Sequence, residues 1–282
     1  MTSSKDHRVK KPTSRSSSRS RSGLKLSKHH RERAAKEAAQ KQATDLPLVE
    51  RTNALSLEDF LARYIDPTHL QLRAPPTASR ADGNDQDIPQ YQVQIHTADT
   101  IPEPDFESCF ALIEQTSVAD YSTSSTGWSP SKKRKEMRLP DMRYMVLRST
   151  SDYDTPVNGT AEKQQQEDKE GPKQRTPPVA GFLSFMTTYE DGKEVLYCYE
   201  VHVNPSLQGS GLGGQLMRLF EQIGRRIGLE KGMLTVFRAN AGALRFYERL
   251  GYSIDEYSPG PRKLRNGTVK EPDYSILSKA LR

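Results

Sequence analysis

The chain predicts an α+β fold of three layers (α/β three-layer), a central mixed sheet flanked by helices, preceded by a disordered basic tail. Three observations carry that expectation. Along residues 90–282, apolar periods of two and of three to four follow one another in the order strand, helices, three strands, helix, strand, helix, terminal strands. A glycine-rich turn, Gln208-Gly209-Ser210-Gly211-Leu212-Gly213-Gly214, stands between one of those strands and a helix. Finally, residues 1–45 hold 13 Lys/Arg against 4 Asp/Glu, so a chain of net charge +6 carries −3 over its remainder.

The tail comes first. Residues 14–22 alternate Ser and Arg, cannot build a core, and are expected to be disordered. Their charge suits a nuclear import signal or loose contact with nucleic acid or the ribosome, and equally a solvated tail with neither role. Residues 29–42 have helical composition, with Glu32/Lys36 and Glu37/Lys41 pairs four apart. Residues 46–89 read as an N-terminal segment and linker, its end rich in Pro, Asp and Gly. The main domain is expected over 90–282, interrupted by a polar, disordered insertion at 151–178.

Within that domain Tyr91 to His96 alternates as a strand does, and Asp105 to Ser117 predicts a helix. Arg143 to Leu147 and Val179 to Thr187 read as paired strands on either side of the insertion. Glu194 to Val203 is β-branched and aromatic, and Asn204-Pro205 ends it. After the glycine turn, Leu212, Leu216, Leu219, Phe220, Ile223 and Ile227 form one apolar helical face that Gly228 stops. Met233 to Phe237 is a further strand. Asn240 then caps a helix whose Ala243, Leu244, Tyr247 and Leu250 share a face, and Gly251 terminates it.

The turn carries the first chemical signal. Glycines let the backbone approach a ligand closely, and the open N–H groups of the helix that follows, with its positive dipole end, make an anion site. A tight strand-to-helix connection without a ligand uses the same residues. No Lys-Ser/Thr closes the turn as in a P-loop, and it does not continue into a dinucleotide fingerprint. Cys109 and Cys198 give neither a disulfide framework nor metal spacing and suit a reducing intracellular compartment. No apolar run is long enough for a membrane span or a secretory signal, and no metal is implied.

The turn fits Gln/Arg-x-x-Gly-x-Gly/Ala and resembles the pyrophosphate-binding motif of the GNAT acetyltransferases, which follows a central strand. The run Asn240 to Tyr252 resembles the Asn...Phe-Tyr...Leu-Gly-Phe/Tyr segment that closes the same fold. Glu194 to Val201, Met233 to Phe237, Tyr252 to Glu256 with Ser258-Pro259, and Tyr274 to Ser278 are similar to the NatD family of N-alpha-acetyltransferases, over roughly residues 100 to 280. The resemblance implies a GNAT acyl-CoA N-acyltransferase fold, acetyl-CoA as cosubstrate, histone N-termini beginning Ser-Gly-Arg-Gly as acceptors, a monomer without membrane contact, and a nuclear and cytoplasmic location. A lysine acetyltransferase acting on basic tails and a non-catalytic acetyl-CoA-dependent binder of histone or ribosome are the alternatives.

Glu200 is the candidate general base, since a carboxylate within an apolar and aromatic strand needs a reason to be there. A paired structural glutamate is the other reading. Strict alternation puts Tyr197, Tyr199, Val201 and Val203 on one face and Cys198, Glu200 and His202 on the other. A β-bulge reconciles them, and the GNAT resemblance implies one. Tyr199 and Tyr197 then join Glu200 as the catalytic group. Direct attack is expected, because Cys198 has no activating partner beyond His202.

By resemblance, the backbone of Val201, His202 and Val203 meets acetyl-CoA and polarises its carbonyl, Gln208 to Gly214 take its pyrophosphate, and Asn240 contacts it. Tyr247 sits where many GNAT enzymes place an acid for the departing thiolate. Tyr121, Tyr199, Thr235 and Tyr274 fall where the family contacts the substrate N-terminus, and each equally suits core or surface. Trp128 in Thr126-Gly127-Trp128 resembles a Trp-Gly-Trp motif that has lost its first tryptophan. A family carboxylate aligns near Thr188, with Glu190 and Asp191 close enough to replace it.

Overall fold

The computed structural model describes residues 46–74, 89–150, 178–263 and 265–282. The expectations for the basic tail with its helix, for most of the proline-rich linker and for the insertion lie outside the described residues. The strands are β1 (Gln71–Arg73), β2 (Gln90–Thr97), β3 (Arg143–Ser149), β4 (Val179–Glu190), β5 (Lys193–Val203), β6 (Lys231–Phe237), β7 (Ser253–Ile254), β8 (Arg262–Lys263), β9 (Val269–Lys270) and β10 (Tyr274–Ala280). Eight of them form one sheet in the order β1-β2-β3-β4-β5-β6-β10-β7, and β8 and β9 pair separately. The pairings in the large sheet are antiparallel except β5 with β6, which run parallel, so the sheet is mixed as expected.

The α-helices among the described residues are α1 (Leu48–Asn53), α2 (Leu57–Tyr64), α3 (Glu103–Thr123), α4 (Pro130–Met137), α5 (Leu212–Ile227) and α6 (Ala241–Arg249). Residues 46–74, from the segment expected ahead of the main domain, belong to the folded unit Leu46–Arg282. Ser56 caps α2 by accepting from the Asp59 N–H, and Phe60 on that helix is fully buried against Phe185. Helix and strand here span too few residues for a periodic pattern to stand out. β1 nonetheless completes the sheet edge beside β2.

The two faces of the sheet bury separate cores. One holds Phe185, Leu196, Cys198, Leu216, Phe220, Ile223 and Leu234, the face to which α5 contributes. The other holds Phe106, Phe110, Ile113, Met137, Tyr144, Val146 and Phe182, under α3 and α4. α3 runs to Thr123 rather than stopping at Ser117. Its last turn is short of apolar residues, but the Ser122 and Thr123 hydroxyls bond back to carbonyls four residues earlier. α4 escaped the sequence reading because Pro130–Met137 is mostly charged and has no apolar stripe. Its buried residues, Lys133 and Met137, stand one turn apart, and the Tyr144 hydroxyl donates to the Met137 carbonyl to fix the helix end.

Candidate active site

β5 and β6 pair only from Val195 to Cys198 against Lys231 to Leu234. The reason lies on the other edge of β5. Ser184 stands opposite Glu200 and Phe185 opposite Cys198, so Tyr199 is an extra residue, a β-bulge that bends the strand away from β6. The bulge also resets the alternation. Cys198 and Val201 now join the core under α5, while Tyr199 packs on the opposite core, the one toward which Glu200 and His202 turn through their contacts with α3.

The strands part around a cavity of about 770 Å³ lined by Cys198 to Val203, Leu234 to Phe237, and Thr116, Asp120 and Tyr121 of α3. At its other end lies the glycine turn. Gly209 and Gly211 adopt φ of 79° and 78°, which favour glycine, and Gly211 begins α5 without any side-chain cap. The first N–H groups of a long helix are thereby left for an anion. Arg218 of α5 and Arg249 of α6 line the same cavity. Nothing in their spacing distinguishes them in the sequence from ordinary surface arginines.

Glu200 lines the cavity as a buried, 8% exposed carboxylate. Its Oε1 accepts from Lys133 Nζ at 2.8 Å and from the Tyr121 hydroxyl at 3.1 Å, and its Oε2 lies 2.6 Å from His202 Nε2. Burial works to raise the carboxyl, but the hydrogen bond and charge of His202, then Lys133, outweigh it and hold Glu200 down to about 2. Burial works equally against the Lys133 charge, and Glu200, Tyr121 and Glu136 overcome it and raise the ammonium. Tyr121 is pushed up by burial and then by the charge of Glu200, so its hydroxyl stays a donor. Sequence reading missed Lys133, Asp120 and Thr116. Only the crossing of α3 and α4 over the bulge brings them to Glu200 and its neighbours.

Residues 145–252 match the model of the Acetyltransferase (GNAT) family. The fold is that of the GNAT acetyltransferases. Solved structures similar to the chain include the ribosomal-protein-S18-alanine N-acetyltransferase from Escherichia coli, at 16% identity over 67% of this chain and 94% of that one, TM-score 0.40. A chain of the NatC complex bound to Gag peptide and CoA is 17% identical over 67% and 99%, TM-score 0.41. An acetyltransferase from Streptococcus agalactiae is 11% identical over 67% and 98%, TM-score 0.45.

GNAT enzymes use acetyl-CoA, and the residues here suit its anionic and extended parts: an uncapped helix N-terminus, two lining arginines, and a strand edge freed beyond Cys198. Val201, His202, Val203, Gln208, Gly209, Gly211, Leu212, Gly213 and Gly214 all line the cavity. Ser210 does not; it is buried, and its hydroxyl donates to the Leu207 carbonyl. Among the described residues no group of three or more His, Cys, Asp or Glu could hold a metal ion, and no helix is long and apolar enough to cross a membrane.

The remaining expected residues divide. Tyr121 reaches Glu200 and is braced by Trp128, whose ring lies 5.3 Å from it and 5.9 Å from Phe110. Tyr199 lines the cavity with its ring 5.3 Å from that of Tyr197. Tyr197 itself stands outside the lining and shares a 2.5 Å hydrogen bond with Thr235, which lines it. Asn240 lines the cavity too, but both ends of its amide are engaged: Oδ1 accepts from the Ala243 N–H and Nδ2 donates to Asp120. Tyr247 is a buried residue of the cavity lining, and burial raises its hydroxyl well above the usual range. Tyr274 is 36% exposed, stands opposite Phe237 in the sheet and lies outside the cavity lining.

Proposed function

We propose that the chain transfers an acetyl group from acetyl-CoA to the N-terminal α-amine of histone chains beginning Ser-Gly-Arg-Gly. The observation that carries this reading is Glu200 in the cavity lining with both carboxylate oxygens engaged, Oε1 by Lys133 and Tyr121 and Oε2 by His202. A carboxylate whose oxygens are already engaged by three donors is a weak proton acceptor. An α-amine titrates near about 7.7 to 8.0 and lysine near about 10.4, so neutralising lysine costs roughly 3.5 kcal/mol more. Such a site favours the amine that needs least help.

Acetyl-CoA supplies the activated acetyl group. The open N-terminus of α5, with Arg218 and Arg249, holds its phosphates, and the free edge of β5 from Val201 to Val203 orients the carbonyl and donates N–H groups to the developing oxyanion. Glu200 takes the proton of the attacking amine, with Tyr121 and Tyr199 shaping the pocket around a small first residue. The protonated hydroxyl of Tyr247 serves the departing thiolate. Glu190, which burial and Asp191 raise, stands at the end of β4 and receives the substrate arginine. The basic tail contacts nucleic acid or the ribosome, in keeping with a nuclear and cytoplasmic protein.

The test is acetyl transfer to a Ser-Gly-Arg-Gly-Lys peptide and to the same peptide with its α-amine blocked. Transfer is expected to the free peptide only. Equal transfer to both peptides would mark a lysine acetyltransferase.

A further inference from the structure

We propose that His202 is a positioning residue that sets when Glu200 works: its Nε2–H holds the carboxylate, and the charge of its ring gates how well that carboxylate accepts a proton. This rests on the reading of Glu200 as the proton acceptor. The geometry begins on the far side of the ring. His202 Nδ1 lies 2.6 Å from the Thr116 hydroxyl oxygen, which lies 2.7 Å from the Leu112 carbonyl. A hydroxyl has one proton to give.

Nε2 faces a carboxylate oxygen and so carries a proton. When Thr116 donates to Leu112, Nδ1 must also donate, and the ring is an imidazolium. When Thr116 rotates and donates to Nδ1, the ring is neutral and Nε2–H still reaches Glu200 Oε2 at 2.6 Å. The Leu112 carbonyl keeps its bond within α3 in both arrangements. Neither charge state therefore strands a buried polar group. Phe182 stacks on the ring at 5.4 Å and holds its plane.

The groups around the pair come from every neighbouring element. β5 contributes Glu200 and Cys198, α3 contributes Thr116 and Tyr121, α4 contributes Lys133 with Glu136 behind it, β3 contributes Tyr144, and α6 contributes Tyr247. Lys133 is held charged, and burial holds Cys198 and the three tyrosines protonated. Among these groups the imidazole is the one whose two charge states both keep its neighbours bonded. With the ring charged, Glu200 is paired by cations on both oxygens and accepts a proton poorly. With the ring neutral, Lys133 alone opposes it, so turnover rises with pH.

The experiment compares the pH dependence of kcat for the full chain and for His202→Gln and His202→Leu, with the Ser-Gly-Arg-Gly-Lys peptide. Glutamine can donate to Glu200 but cannot change charge, so it is expected to lower kcat about threefold at pH 8 and to leave an acidic limb set by the peptide's α-amine alone, shallower than that of wild type. Leucine is expected to lower kcat more than about tenfold at every pH, with KM for acetyl-CoA unchanged. An acidic limb in His202→Gln identical to wild type overturns the proposal. Should the peptide not be acetylated at all, the functional reading fails while the ring can still be followed by ¹⁵N NMR. Its titration is expected to shift in both Glu200→Gln and Thr116→Val, and a titration indifferent to both overturns the gate.

Discussion

Two buried glutamates each lie against two basic side chains, but Glu200 has both oxygens engaged while Glu221 takes both partners on Oε2 and leaves Oε1 without a hydrogen bond. Glu200 is paired by Lys133 at 2.8 Å and His202 at 2.6 Å, and Glu221 by Lys279 at 2.7 Å and Arg225 at 3.1 Å. Glu221 is on α5, outside the cavity lining, and its partners are a lysine and an arginine. Glu200 lines the cavity, and one of its partners is an imidazole. The contrast teaches that ion pairing and burial alone do not mark a catalytic carboxylate. What separates Glu200 from Glu221 is its place in the cavity lining, which the proposed role requires.

The comparison can be broken most sharply by substitution. Glu200→Gln is expected to lower kcat by about 100-fold or more, the usual weight of a general base, while acetyl-CoA affinity by calorimetry stays within a factor of about two. Equal loss of both would make Glu200 a structural pair like Glu221. Glu221→Ala should act the other way, losing roughly 2 kcal/mol in denaturant unfolding while the folded fraction keeps its kcat. That figure sits below the range for fully buried pairs because Lys279 and Arg225 reach solvent in part.

A narrower contrast lies in acid. Glu200 is held below its unfolded value, so its pairing stabilises the fold above about pH 4.5, and that contribution is lost as pH falls toward about 2. Thermal melts of wild type and Glu200→Gln should therefore converge over that window. Melts that keep a constant separation would count against the depressed carboxyl. Smallest of all, Gly211→Ala forces a side chain into a φ of 78°, at about 1 kcal/mol, and should raise KM for acetyl-CoA several-fold with little change in kcat. An unchanged KM would remove the turn from the cofactor site.

Much of this arrangement was legible. The glycine turn could be read because the φ values of Gly209 and Gly211 exclude most other residues, and the Asn240 cap because its amide has a local backbone partner. The bulge at Tyr199 was legible as a conflict, since strict alternation separated Glu200 from the tyrosines beside it. Lys133 and Thr116 left no such trace. A lysine in Lys132-Lys133-Arg134-Lys135 looks solvated until α4 turns it onto Glu200, and Thr116 looks like any helical threonine.

By itself the sequence determined the order of the elements that carry an apolar period, the glycine turn and the oddity of a carboxylate in strand β5, because these rest on local periods and on backbone angles few residues tolerate. Only the tertiary structure decided what Glu200 is. Its charge and its access depend on Lys133, Tyr121 and Thr116, far away in the chain, and electrostatics in a buried site follows distance in space, not position in the chain.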